Sequence, residues 1–187
     1  MVKQGSGTLT LTGTQTYTGD TTISAGTLTV SGSGSLNSGN YAGAIANSGT
    51  LNYASSTSQT LSGVISGTGS VTKSGSSTLT LSGNNTYSGD TTISAGTINV
   101  SGKIGNGSYS GAIANTGTFI MSSSNAHTLS GAISGSGGIT KSGSGNLTLS
   151  GSNNFTGTIT LSNGTLISAS DNACLLYTSP SPRDSDS

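Results

Sequence analysis

Single aliphatic residues alternate with threonine, serine and asparagine in short strings along the chain, as at Thr8-Leu9-Thr10-Leu11-Thr12, Thr27-Leu28-Thr29-Val30 and Thr78-Leu79-Thr80-Leu81. A period of two with β-favouring residues reads as strands that are apolar on one side. Glycine, asparagine or serine turns interrupt the strings every 8 to 12 residues or so. The alternation places Leu9, Leu11, Ile23, Leu28, Val30, Ile45, Leu51, Leu61, Ile65, Val71, Leu79, Leu81, Ile93, Ile98, Val100, Ile113, Phe119, Leu129, Ile133, Ile139, Leu147, Leu149, Ile159, Leu161 and Leu166 inside. The threonines and serines between them are expected to point outward, stiff at χ1 and with hydroxyls in water.

The strings belong to a long internal repeat. LTLTGTQTYTGDTTISAGTLTVS, from Leu9, returns as LTLSGNNTYSGDTTISAGTINVS, from Leu79, a shift of 70. GAIANSGTL, from Gly43, returns as GAIANTGTF, from Gly111, a shift of 68. The two-residue difference falls between Ser31 and Tyr41, which reads as a loop. A third copy starts at Leu147 and fades near Ala169, so the chain reads as about two and a half repeats, incomplete at both ends. Similar segments recurring in one direction, with no Asn-Gly hairpin at a fixed place, favour a coil over an antiparallel sheet. The expected fold is all-β: a parallel β-helix with about three rungs per ~70-residue repeat and a rung near 23 residues. Seven or eight rungs would form one rod.

Composition narrows the function. The sequence has 31 Gly in 187 residues and only five basic and five acidic side chains, with zero net charge. Residues 1–173 contain no Cys, Pro, Arg, Trp or Glu. Without a basic face, nucleic acid is not an expected partner. No stretch approaches the roughly 20 apolar residues of a membrane-spanning helix, and Met1 is followed by no signal segment. Residues 174–187 read differently. CLLYTSPSPRD, from Cys174, back-translates to one frame of the adapter used in transposase-based sequencing libraries, so the fold is expected to end at residue 173 and an adapter-derived, disordered tail to follow.

The stretch NNTYSGDTTISAGTINVSG, with GTGSVTKSGSSTLTLSG upstream, resembles the autotransporter-associated β-strand repeat, also called the passenger-associated transport repeat. The pattern is met in full from Gly67 to Val100, and without most of its lead from Lys3 to Val30. The third copy departs from it at Phe155, where the others have Tyr17 and Tyr87, and at Thr158, where they have Asp20 and Asp90. The resemblance implies a right-handed β-helical passenger segment of a type V secreted protein of a Gram-negative bacterium. An outer-membrane β-barrel translocator would be its partner in the full-length parent, with a host or neighbouring cell surface as a further partner. Its place would be extracellular, at the cell surface or outer membrane. The same repeats also occur in surface proteins ending in a short sorting signal. Structural roles fall on the motif residues Tyr17, Asp20, Gly26, Lys73, Leu79, Leu81, Tyr87, Gly89, Asp90, Ile93, Gly96 and Phe155.

No catalytic residue, cofactor or metal is expected. His127 stands where the preceding repeat has Gln59, without companions, and reads as a surface polar residue. Asp20 and Asp90 are too sparse for a calcium cage and are expected to bond the backbone two residues on. Tyr17, Tyr87 and Phe155 could stack on sugar rings as an aromatic column, but the change to Phe155 shows that one copy needs no hydroxyl, so each ring is expected to pack its turn over the rung. Lys3, Lys73 and Lys141, one per repeat, read as charges guarding a sheet surface, about three rungs apart. Ice or carbohydrate binding by Thr-x-Thr pairs is the alternative function, but the pairs recur once per long repeat, so no regular ladder is expected.

Overall fold

The computed structural model describes residues 1–169, all strand, turn and two short 3-10 segments. The expected tail from Cys174 lies outside the described residues. The strands pair only in parallel, each with the strand one circuit earlier and one circuit later, giving a β-solenoid of about eight turns. The fold class is as the sequence predicts.

Three faces run the length of the rod. The second carries seven strands, beginning with Thr8–Leu11, Thr27–Gly32, Thr50–Ser55 and Ser70–Lys73. The third also carries seven, from Asn40–Tyr41 to Ile159–Leu161. The first holds two four-stranded sheets, Val2–Lys3 to Ile65–Ser66 and Ser108–Tyr109 to Leu166–Ser168. Residues 84–87 join these two. The Thr86 N–H donates to the Ile65 carbonyl, and the Asn106 N–H to the Asn85 carbonyl.

The register corrects the expected rung. Paired residues are separated by as few as 19 positions, Thr8 with Thr27, and as many as 24, Thr21 with Ile45. Most pairs are 20 apart, as Thr50 with Ser70 and Leu147 with His127. A 70-residue repeat therefore makes three circuits and one further face. Leu9 stacks on Leu28, Leu51 and Val71 in the second face, while its repeat equivalent Leu79 lies in the third with Ile98, and Leu147 lies in the first with Leu166. Each repeat is turned a third of the way round the axis relative to the one before. Like does not stack on like at the level of the repeat.

The two-residue difference falls where expected. Val30 matches Val100 at a shift of 70 and Leu36 matches Ile104 at 68, with the Gly34 turn between them. A 3-10 turn follows in both copies, Asn37–Gly39 and Gly105–Gly107.

The core is a single aliphatic column set inside the three faces, and the expected inward residues fill it from Ile23 to Ile159. Leu9, Leu11, Leu161 and Leu166 are only half-buried because their rungs stand at the ends. The core also takes Leu36, Tyr41, Tyr53, Ile104, Tyr109 and Met121, which the aliphatic pattern did not include. Outward threonines line up more regularly than the sequence suggests. Thr78, Thr97 and Thr118 are direct neighbours on the third face, as are Thr60 and Thr80, and Thr140 and Thr160. These hydroxyl rows run for two or three rungs, because neighbouring rungs draw their threonines from different parts of the repeat, and Asn99, Ile120 and Gly138 break them, so no regular ladder runs along the face, as expected.

Glycine marks the corners. Between the first and second faces, Gly26, Gly49, Gly69, Gly89, Gly111, Gly131 and Gly151 stack in one column. A Cβ on any of the last six would lie 2.1 to 2.7 Å from the carbonyl oxygen of the glycine before it. Only a residue without Cβ lets consecutive corners close at the strand spacing of about 4.8 Å.

Candidate functional site

The motif residues form a corner unit that locks one rung to the next. In the first copy Tyr17 and Tyr41 meet edge to face, with centroids 5.6 Å apart. The Thr21 hydroxyl stands 2.7 Å from the Tyr41 hydroxyl and 3.3 Å from that of Tyr17, and the Tyr41 hydroxyl donates to the Gly19 carbonyl at 2.5 Å. The second copy repeats this with Tyr87, Thr91, Tyr109 and Gly89, the rings 5.5 Å apart and the Thr91 contacts at 2.9 and 2.8 Å. Burial pushes the Tyr109 hydroxyl up to about 12 and holds that of Tyr87 well above the usual phenol range. These pairs are clamps across one circuit, since Tyr41 and Tyr109 belong to the following rung. Tyr17, Tyr87 and Phe155 pack against the core at their turns, as expected, and form no column, because successive repeats face different ways.

The third copy lacks the clamp as a whole. Phe155 replaces the tyrosine, and Ile159 stands where the other copies have Thr21 and Thr91. Hydroxyl donor and hydroxyl partner disappear together, which leaves no buried threonine unsatisfied at that corner.

Asp20 and Asp90 are exposed, but they do not bond the backbone two residues on. The Ala44 N–H donates to the Asp20 carboxylate at 2.8 Å, and the Ala112 N–H to that of Asp90 at 2.8 Å, each a full rung away. The carboxylate thus satisfies a donor at the start of the next circuit's strand. Among the described residues no three His, Cys, Asp or Glu gather as metal ligands.

The lysines correct the expectation of a charged sheet surface. Lys73 and Lys141 are buried, at 0% and 2% exposure, and Lys3 at 6%. The Lys3 ammonium donates to the carbonyls of Gln4, Gly5 and Ala25 at 3.0, 2.8 and 3.1 Å. That of Lys73 donates to the Gly75 carbonyl and lies 5.7 Å from the Tyr53 ring centroid, and that of Lys141 donates to the carbonyls of Gly143 and Asn163. Burial lowers the Lys73 and Lys141 amines below the ordinary lysine value. The partner is a cage of corner carbonyls rather than a carboxylate. Gly96, at φ 66°, and Gly164, at φ 77°, complete two of the cages, where a Cβ would lie 2.9 and 2.8 Å from the lysine nitrogen. The motif glycines thus make room for the motif lysines. Lys3, Lys73 and Lys141 sit on the first, second and third faces in turn.

His127 is also buried rather than on the surface. Its Nδ1 lies 3.0 Å from the Asn125 carbonyl, and its Nε2 accepts from the Ile104 N–H at 3.4 Å. The preceding repeat gives Gln59 the same task, with its Oε1 accepting from the Leu36 N–H at 2.7 Å and its Nε2 donating to the Leu36 carbonyl at 3.1 Å. Burial lowers the imidazole below its ordinary value, and Lys103 and Lys141 add to that. Asn85 plays a similar part, accepting from Ile65 and donating to Gly83 and Lys103. Leu79, Leu81 and Ile93 are core residues, and Gly26 and Gly89 belong to the glycine column.

The pairs Tyr17–Tyr41, Tyr87–Tyr109, Asp20–Ala44, Gln59–Leu36 and Asn85–Lys103 each join a circuit to its neighbour, so the fold and its recurring corners define a repeat-built parallel β-solenoid whose repeated side-chain chemistry includes inter-rung fastening. A family model described as the passenger-associated-transport-repeat matches the chain three times, over residues 1–30, 71–100 and 139–167, and the chain carries three copies of that repeat. Neither curated proteins nor solved structures gave a match. Each matched stretch spans five successive faces, and five more separate it from the next.

Proposed function

We propose that this segment is a structural stalk within an exported bacterial surface protein, an autotransporter passenger, and that it assists secretion and folding outside the cell. Adhesive or effector parts would be carried elsewhere on the parent. The carrying observation is that polar groups at the corners of one rung are met by the next, 18 to 24 residues away, as for Asp90 with Ala112, Leu36 with Gln59 and Asn85 with Lys103. A rung emerging from a β-barrel translocator has its partners already folded ahead of it, and each docking buries a new strip of core. Stability then grows as a nearest-neighbour sum, and folding outside opposes return. Sparse charge and the absence of cysteine before residue 174 suit a chain threaded unfolded.

The reading is non-enzymatic. Asp20 and Asp90 serve as backbone partners at different corners, so among the described residues no pair of carboxylates converges for acid–base work. Leu79→Asp, in the middle of the core, tests the ratchet in the full-length parent. Surface display should fall while the barrel still assembles; undiminished display would show that rung docking does not drive passage. The hydroxyl rows of the third face favour a second reading, binding to an ordered water or sugar surface, and thermal hysteresis of the folded rod would decide its ice-binding form.

A further inference from the structure

Asparagine followed two residues later by serine or threonine occurs at Asn84, Asn99, Asn106, Asn146, Asn154 and Asn163. In a chain so rich in hydroxyl residues such triplets arise easily, and number alone says little. Their placement says more. The register brings four of them, far apart in sequence, to the corner by which the chain enters the first face. Asn84 leads into Thr86, Asn106 into Ser108, Asn146 into Thr148, and Asn163 reaches the strand Leu166–Ser168. They span four rung steps, about 20 Å.

Two triplets are exposed by strand alternation: residues i and i+2 of an extended segment share a side, so asparagine and hydroxyl face away from the core while Asn85 or Leu147 between them faces it. The other two sit on turns, Asn106 in the 3-10 segment Gly105–Gly107 and Asn163 before Gly164 at φ 77°. Asn84, Asn106, Asn146 and Asn163 are all exposed. The side-chain amides of Asn84, Asn106 and Asn146 make no hydrogen bond among the described residues, and Asn163 uses only its oxygen, accepting from the Gly164 N–H at 2.8 Å. Asn99 is different: it is half-buried on the third face, with its oxygen taken by the Ser122 hydroxyl at 2.7 Å. Asn154 is exposed on the second face, outside the cluster.

We infer that this corner, from Asn84 to Thr165, is an acceptor surface for N-linked sugar. The donor is a sugar activated at its anomeric carbon as a diphosphate. The asparagine nitrogen attacks that carbon, the C–N bond forms, the C–O bond to phosphate breaks with its electron pair leaving on the diphosphate, and the amide proton passes to the transferase. The amide keeps its second N–H. A neutral, hydrated group there suits a rod whose only exposed carboxylates among the described residues are Asp20 and Asp90.

Two measurements test this. In parent protein recovered from the cells that make it, peptides containing Asn84, Asn106, Asn146 and Asn163 should carry hexose on the asparagine; bare asparagines, or sugar confined to serine and threonine, overturn the inference. The folded 187-residue chain treated with a soluble asparagine glucosyltransferase and UDP-glucose should gain one hexose at each of the four, and at Asn154, while Asn99 is modified only after denaturation. Thr148→Ala should remove the hexose at Asn146 alone, with circular dichroism unchanged. A folded chain that stays bare where the denatured chain is modified, or that reacts at Asn99 as fast as at Asn146, would refute the role given to the corner.

Discussion

Tyr109 and Tyr87 share one threonine but not one burden. Tyr109→Phe strips a partner from Thr91 and from the Gly89 carbonyl, both inside the corner, and should cost about 1–3 kcal/mol in denaturant unfolding. Tyr87→Phe leaves Thr91 bonded to Tyr109 and should cost about 1 kcal/mol or less. Because both phenols are held above 10.0 in the folded rod, the unfolded state releases their protons first, and stability should fall as pH rises from 10 toward 12. His127 acts at the other end of the scale. Its folded value lies below 6.5, so the unfolded state binds the proton first, and stability should decline as pH falls below 6.5 toward the carboxylate range. His127→Gln, the choice made at Gln59, should flatten that decline in pH-dependent melting; an unchanged slope would mean the imidazole is not the titrating group. The burial of His127 and of Lys73 departs from what their residue types suggest, although the signal is present in the sequence. Val71-Thr72-Lys73, Gln59-Thr60-Leu61 and His127-Thr128-Leu129 keep the strand alternation, which puts Lys73, Gln59 and His127 inside with their aliphatic partners. Residue type, which normally keeps lysine at the surface, outweighed phase in the reading.

The strands themselves were legible because each needs only local alternation. Thr27–Gly32 and Thr97–Val100 show it plainly, and their inward leucine, isoleucine and valine residues are buried as expected. The corners were not legible. A glycine in a turn usually signals backbone freedom, whereas here most corner glycines are required by the oxygen of the circuit before, a neighbour some 20 residues away that no local pattern reveals. Gly69→Ala would set a Cβ 2.3 Å from the Gly49 carbonyl oxygen and should cost about 1–3 kcal/mol by forcing two rungs apart. Gly13→Ala meets nothing within 4 Å and has no left-handed backbone, so it should be neutral or stabilising by up to about 1 kcal/mol. Equal effects of the two in chemical denaturation would remove the steric account of the column.

For the whole rod, the long period was visible and the short one was not, because three successive rungs share a strand plan without sharing a sequence. Only the register, with its 19- to 24-residue steps, shows that ten faces fill one repeat. Removing residues 71–138 joins Ser70 to Ile139, the equivalent of Val71, and leaves every local neighbour of the same kind. That variant should fold cooperatively and be shorter by about 16 Å, measurable by small-angle scattering; failure to fold would mean the copies are not interchangeable. The same arithmetic of ten strands over three faces turns copy number into a compass. Whatever the parent carries at the far end of such an array would swing a third of a circle with each repeat gained or lost and return to its first bearing after three, so recombination between copies would re-aim the cargo as well as change its reach.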